Sequence, residues 1–493
     1  MVCADRRTMM SEIKRNIKKG LFWTAIDKYS GQIVGIGISM ILARLLTPYD
    51  YGIVATATVF SSFISIFTSI GIGPAVIQRK DLSQDDLNGI FTFTILVGLV
   101  CGGIMFGSSW LVADIYDNEI LVPVMQLLSI TVFLGALNMV PSALMSKNLR
   151  FQEMATRSIT FQVVFGIIGI VSAFFGAGVY ALICPPIASL FCTFLYNNHF
   201  YPVKIHWRFS LTPIKKIFSY SSYLFLFELF NYFSRNIDKV IIGKYLSASA
   251  LGYYEKSYRL MQLPLQNITA VVYPVLQPVL SSLQDNLKDM ASKYTRIMAM
   301  ISLLGFPMSI CLYYCASEII VLMFGDQWLP AIPAFKILSL AVPFMLVINP
   351  TGPIFLACNA SKALFYTGII NTSITISGFL IAALIDNSIE SIAWGWTITL
   401  IINTLNSYYR LYVRVMKVKV LPLLKTLIHP LFCALAVIAM YCVYAMIPHQ
   451  LPTLVNFIIK GILGISTAII YYCCTRVCNI NDIVMYLKRN KNK

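Results

Sequence analysis

The residues able to do chemistry in this 493-residue chain are few, and they stand in apolar surroundings. Asp27 and Lys28 sit together in the segment 20–46, with Lys28, Gln32, Gly35 and Ser39 on one helical face. The segment 217–246 holds Glu228, Asn231, Arg235 and Asp238 at helical spacing, which stacks them on one stripe beside Lys239. Glu255, Arg259, Gln262 and Gln266 form a second such stripe, and Thr399, Asn403 and Asn406 a neutral one. Charge in a lipid-facing position is costly, so these stripes should face a hydrated cavity or each other. Lys28, Arg235, Lys239 and Arg259 could hold an anionic group, Arg through a planar fork that suits phosphate oxygens. Arg44 and Lys244 are further candidates, although they and Lys256 lie near segment ends, where a long side chain can simply reach the interface. Lys336 and Lys460 read as reaching the interface in this way. The carboxylates Asp27, Glu228 and Asp238 could carry a coupling ion or proton, or could pair with a neighbouring cation.

Other chemistries lack their residues. There is no G-x-x-x-x-G-K-[ST] loop for a nucleotide, no H-E-x-x-H or G-x-S-x-G arrangement, and no acidic cluster for a metal-bound nucleotide sugar. Neither a catalytic residue nor a metal or cofactor site is expected. The four histidines, His199, His206, His429 and His449, cluster with nothing. The 12 cysteines contain no C-x-x-C and lie mostly in apolar runs, as small hydrophobes. No cleavable leader is evident, and Met9 or Met10 is an alternative start.

The elements that must position these residues are membrane spans. The chain is 58% hydrophobic and 12% charged, against about 25% charged in an average soluble domain. Runs such as 95–110, 297–314 and 431–446 contain no charge, and about 20 such residues cross a bilayer core. Fourteen helical spans are expected, near 20–46, 51–77, 87–113, 120–145, 154–176, 179–198, 217–246, 250–282, 297–324, 331–357, 362–384, 389–411, 424–447 and 453–475. The runs lack the short alternation of barrel strands, so the fold class is an all-α polytopic membrane protein. The net charge of +17 does not call for nucleic acid. With a cytoplasmic N-terminus, most Lys and Arg fall in cytoplasmic segments, including Arg79 and Lys80, then Lys147, Arg150 and Arg157, and the basic tail. The opposite loops are neutral or acidic, with Asp114, Asp117 and Glu119, or Asp386 and Glu390. Both termini should therefore be cytoplasmic.

One internal repeat is visible. The stretch 41–52 (ILARLLTPYDYG) matches 241–252 (IIGKYLSASALG) at an offset of 200 residues, pairing Arg44 with Lys244, Thr47 with Ser247 and Gly52 with Gly252. Six spans separate the copies, so both halves share one orientation. Two parallel six-helix lobes are expected, 1–200 and 201–415, followed by two appended helices and a basic tail over 416–493. Parallel repeats of this kind place a substrate path between halves. The pairs Gly31/Gly35 and Gly98/Gly102 should allow close helix packing.

The stretches 41–57 (ILARLLTPYDYGIVATA), 75–83 (AVIQRKDLS) and 236–282 closely resemble bacterial polysaccharide flippases of the Wzx type, near the colanic-acid exporter branch of the multidrug/oligosaccharidyl-lipid/polysaccharide exporter superfamily. The resemblance implies a V-shaped pair of lobes and alternating access. The implied substrate is an oligosaccharide unit on undecaprenyl diphosphate, moved between leaflets of the bacterial inner membrane for surface polysaccharide biosynthesis. It also implies a cavity lined by basic residues of helices one, two, seven and eight, on which Lys28, Arg235, Lys239 and Arg259 partly fall; helix two here has no cation between its ends. A polysaccharide polymerase and chain-length proteins are further partners it allows. Alternatives within reach of the sequence are a lipid II or multidrug exporter of the same superfamily, a twelve-helix facilitator, or a membrane polymerase or glycosyltransferase. The last would need a large catalytic loop, and no expected loop is long enough.

Overall fold

A computed structural model describes residues 2–69, 72–79, 81–205, 229, 232–233, 235–281, 286–447 and 451–475. Glu228 and Asn231 lie outside the described residues. Among the described residues, nine helices are long and apolar enough to cross a membrane, and a tenth if the segments Asp326–Ser339 and Val342–Ala357, bent by 46°, form one span. The expected spans beyond that count are the first, seventh, eighth and twelfth. Those four carry the polar stripes, and their polar residues are what lower their apolarity; much of the seventh also lies outside the described residues. The all-helical membrane architecture expected from composition is therefore present, and fourteen spans are consistent with it.

The chain divides into two compact units, Met1–Gly252 and Tyr253–Lys493. The first contains α1 (Val2–Leu45), α2 (Pro48–Ser69), α3 (Ile72–Gln78), α4 (Gln84–Gly107), α5 (Ser109–Ile115), α6 (Leu121–Lys147), α7 (Phe151–Phe174), α8 (Tyr180–Phe200) and α9 (235–245). Short polar residues start two of these helices. Ser83 caps α4 reciprocally with Asp86, satisfying two backbone N–H groups that a helix start leaves open. Asp50 accepts from the Thr47 backbone and hydroxyl at 2.9 and 2.7 Å, closing the same kind of box ahead of α2. Glycine sets the helix spacings. A Cβ on Gly98 would sit 2.7 Å from Ala136 Cβ, so α4 lies tightly on α6. On α1, Gly31 and Gly35 make room for Gln162 of α7, whose amide donates to the Gly31 carbonyl at 2.8 Å. Both glycine pairs thus serve packing, as expected.

The second unit contains most of α10 (Ala248–Ser281), then α11 (Leu287–Tyr314), α12 (Ala316–Phe324), α13 (Ile332–Ser339), α14 (Val342–Ile348), α15 (Thr351–Ala357), α16 (Ser361–Ile385), α17 (Ile389–Tyr409), α18 (Leu421–Thr426), α19 (Ile428–Ala445) and α20 (Thr453–Cys474). Gly378 and Gly395 bring α16 and α17 together: a Cβ on Gly378 would meet Thr399 Cγ2 at 2.0 Å. The last helix is held by charge. Lys460 of α20 donates to Glu318 of α12, and Asn456 donates to the same carboxylate oxygen at 2.7 Å. Glu318 is 4% exposed. Lys460, expected to reach the interface, is instead half of a largely buried ion pair, because its partner lies 142 residues away in sequence and beside it in space.

The repeat has a structural counterpart. Within the first unit, a Cβ on Gly52 would stand 1.7 Å from the Ala248 carbonyl oxygen, and one on Gly252 would stand 2.0 Å from that of Pro48. Pro48 and Ala248 are equivalent positions of the two copies, as are Gly52 and Gly252. The first turns of α2 and α10 therefore cross backbone to backbone with local pseudo-two-fold symmetry. Ser247 starts α10 as Thr47 starts α2, its hydroxyl accepting from the Ala250 N–H at 3.0 Å.

Candidate functional site

The stripe on α10 splits by burial. Leu251, Tyr254, Leu260, Met261 and Leu265 are buried, whereas Arg259 and Gln266 are exposed and Glu255 and Gln262 are half-buried. The helix thus spends its apolar face on packing and leaves Arg259 uncovered. Lys256, on the same helix and expected to reach an interface, is only 2% exposed. Its ammonium lies 4.8 Å from the Phe324 ring centroid and 5.7 Å from that of Trp328, an aromatic seat for a cation.

On α9, Arg235 is exposed, Lys239 half-buried and Asp238 only 1% exposed. Asp238 Oδ1 accepts from the Lys239 backbone N–H at 2.9 Å. Tyr232 and Phe233 anchor this segment against α2: the Tyr232 hydroxyl donates to the Val59 carbonyl, and both rings lie within 5.6 Å of Phe63. Lys244 is engaged by the turn after α5, donating to the Ile115 carbonyl and lying 3.3 Å from Asp117 Oδ2. Lys28 is exposed on α1, and Arg44 is exposed in its last turn, where a cation complements the helix dipole.

Asp27 is half-buried and lies within electrostatic reach of Arg157 on α7. From sequence, Arg157 belongs to the basic cytoplasmic flank. The structure places it inside the first unit, its guanidinium donating to Asn197 Oδ1, while Asn197 donates to the Ser142 hydroxyl at 2.9 Å. Asn197 is fully buried, and Arg157 Nε is buried without a hydrogen-bond partner among the described residues. Four helices, α1, α6, α7 and α8, thus meet around one internal cation. Sequence reasoning missed this because Arg157 follows Lys147 and Arg150 closely, and because Asn197 lies in what reads as a plain apolar span.

The neutral stripe on α17 faces a neighbour. Asn403 donates to Thr375 Oγ1 at 2.8 Å, Asn406 to Asn371 Oδ1 at 2.8 Å, and Asn371 to Ser407 at 2.9 Å. Arg410 reaches back to Asn406 at 3.2 Å. This seam joins α16 to α17 and takes up most of the polar groups that the stripe had offered to a cavity, while Asn403 Oδ1 is buried without a hydrogen-bond partner among the described residues. Among the described residues, no group of three or more His, Cys, Asp or Glu side chains is placed to hold a metal ion.

Comparison with known proteins places the chain. The sequence profile of a family described as "Polysaccharide biosynthesis protein" matches residues 41–333. The teichuronic acid biosynthesis protein TuaB of Bacillus subtilis is 24% identical over 404 residues, covering 80% of this chain and 82% of that protein. The lipopolysaccharide biosynthesis protein WzxC of Escherichia coli is 23% identical over 396 residues, covering 79% and 80%. Among solved structures, the lipid II flippase MurJ superposes with a TM-score of 0.72 at 15% identity, covering 94% of this chain and all of that one. An inward-facing multidrug MATE transporter of the MOP superfamily superposes at 0.58 and 15% identity, covering 78% and 95%. These structural likenesses speak for the fold. With more than half of its length matched by the profile, and with its helical architecture in agreement, the chain belongs to the polysaccharide biosynthesis protein family.

Proposed function

We propose that this protein is a flippase that moves undecaprenyl-diphosphate-linked oligosaccharide units from the cytoplasmic to the periplasmic leaflet of the bacterial inner membrane, for surface polysaccharide biosynthesis. The observation that carries the reading is the uncovered cation on each charged helix: Arg235 on α9 and Arg259 on α10 are exposed although both helices belong to an apolar, membrane-spanning chain. Lipid does not solvate a guanidinium, so such faces line water or an anionic ligand. A diphosphate offers the oxygens that an arginine fork engages, and the relatives TuaB and WzxC are named for teichuronic acid and lipopolysaccharide biosynthesis, in keeping with a glycan cargo. Lys28, exposed on α1, and Lys239, half-buried on α9, are the further cations of this reading. Arg44 and Lys244 belong to this reading only as outer-end contacts.

The three-part division into 1–200, 201–415 and 416–493 and the cytoplasmic placement of both termini are part of the proposal; the basic-loop pattern supports the second. Coupling through Asp27 would have to contend with the nearby positive charge of Arg157; Asp238 and Glu228 are the other coupling candidates. A polymerase and chain-length proteins would act on the product after it has crossed. The reading assigns no catalysis to the chain itself.

The test is complementation of a deletion strain. Arg235→Ala and Arg259→Ala should each abolish polymer output while the protein remains in the membrane at wild-type level. Normal output from both variants would remove these arginines from the mechanism.

A further inference from the structure

At one end of the first unit, the start of α4, the end of α6 and the stretch after α8 line a cavity of about 560 Å³. Lys147 and Lys204 supply its charge, Gln84, Asn88, Asn148 and Tyr201 supply neutral polar groups, and no Asp or Glu lines it. The walls are fixed by specific contacts. Asn88 is 8% exposed, and its carboxamide oxygen accepts from the Lys204 backbone N–H at 2.9 Å. Gln84 donates to the Pro202 carbonyl at 3.1 Å, so the chain after α8 is strapped across the first turns of α4. Lys147, in the last turn of α6, is half-buried and donates to the Arg79 carbonyl.

Three of the carboxylates nearby are already engaged, while Asp85, in the first turn of α4, is exposed and is not among the lining residues. Asp86 accepts from Ser83 in the cap of α4, Glu153 pairs with Arg150 at 2.8 Å, and Asp81 lies 3.7 Å from Arg79. Among the described residues, the Lys204 ammonium meets no carboxylate. Beside the cavity the chain reverses through Leu149, which takes a left-handed φ of 55° and is 57% exposed. An exposed leucine directly between the lining Asn148 and Arg150 is what an acyl-chain boundary accommodates, with lysines at headgroup depth.

We infer that this cavity binds the phosphate groups of a lipid in the cytoplasmic leaflet. The inference rests on the topology proposed above, which puts Lys147 and Lys204 on the cytoplasmic side. It goes beyond the flippase reading, because none of the lining residues belongs to α9 or α10 or is among the arginines assigned to export. Two ammonium groups with neutral amide and phenol neighbours match a headgroup bearing two phosphates. Two sources share that chemistry: cardiolipin of the bilayer, and a polyprenyl diphosphate.

Native mass spectrometry of the purified full chain tests it, with cardiolipin, phosphatidylethanolamine and undecaprenyl diphosphate added separately. The wild type should retain one two-phosphate lipid in preference to phosphatidylethanolamine. Lys204→Gln and Lys147→Gln should each lower that retention by about tenfold or more, the scale of one lost charge-assisted hydrogen bond. Lys204 is exposed, so its substitution leaves the fold intact and keeps the test decisive if Lys147→Gln misfolds. Preference for cardiolipin identifies a bilayer lipid, and preference for undecaprenyl diphosphate identifies the isoprenoid; either supports the site. Equal retention by wild type and Lys204→Gln, or equal retention of phosphatidylethanolamine, overturns it. Because binding is read without transport, lipid retention by an export-dead Arg235→Ala protein separates this inference from the proposed function.

Discussion

The crossing of Gly52 and Gly252 offers a perturbation whose size follows from the structure. In Gly52→Ala the new methyl would stand 1.7 Å from the Ala248 carbonyl oxygen, about 1.6 Å inside the ~3.3 Å at which carbon and oxygen ordinarily meet. The obstructing atom is backbone, so no rotamer change relieves the clash, and the first turns of α2 and α10 must separate. Overpacking of this kind costs about 1–3 kcal/mol. A protein that alternates between conformations escapes the cost by leaving this one, and that energy displaces a two-state population by roughly 5- to 150-fold. The reporter is the Lys244–Asp117 contact at 3.3 Å, which lies close along the chain to the crossing. Cysteines at these two positions, joined by a short bifunctional reagent in native membranes, should cross-link readily in the parent and several-fold less in Gly52→Ala. Gly103→Ala is the control, since a Cβ there meets nothing within 4 Å. Undiminished cross-linking in Gly52→Ala would refute the argument that this contact requires glycine.

The charged contacts give three further expectations. Glu318→Ala leaves Lys460 buried without its carboxylate and should cost about 3–5 kcal/mol, seen as a lower thermal midpoint in detergent; Glu318→Leu with Lys460→Met should recover most of it. An unchanged midpoint in Glu318→Ala would mean that the pair does not anchor α20. Cysteines at Asp117 and at Lys147 should react with an impermeant maleimide from opposite faces of the membrane, and same-side reaction would overturn the topology. Asp27→Asn should impair export through an uncompensated Arg157, and adding Arg157→Gln should restore it. If the double variant stays inactive while folded, Asp27 has a role beyond balancing that charge.

What could be read from the sequence divides along physical lines. Membrane class and helix faces were legible because both depend on composition and on a period of about 3.6 residues, which need no partner. The stripe on α10 was legible as one face, but only Arg259 and Gln266 of it are uncovered, Glu255 and Gln262 being half-buried. The stripe on α17 was legible as a stripe, but not as an internal seam. A signal existed, since Asn371 and Thr375 on α16 stand one helical turn apart and present the complementary amide and hydroxyl. Long-range pairs were not legible. Lys460 reads as a lysine reaching for the interface until Glu318 is placed beside it, and Arg157 reads as part of a basic flank until Asn197 encloses it. The repeat carried more than it first offered: its matched glycines are the points at which its two copies touch.

The central claim is movement of a lipid-linked glycan across the membrane, and the most direct measurement is deletion of the gene followed by analysis of surface glycan and of lipid-linked units by leaflet. The expected result is loss of the polymer, with complete repeat units accumulating on the cytoplasmic leaflet and recovery on re-expression of the wild-type chain. Accumulation of single units already facing the periplasm would place the protein at polymerisation or later, and would contradict the claim.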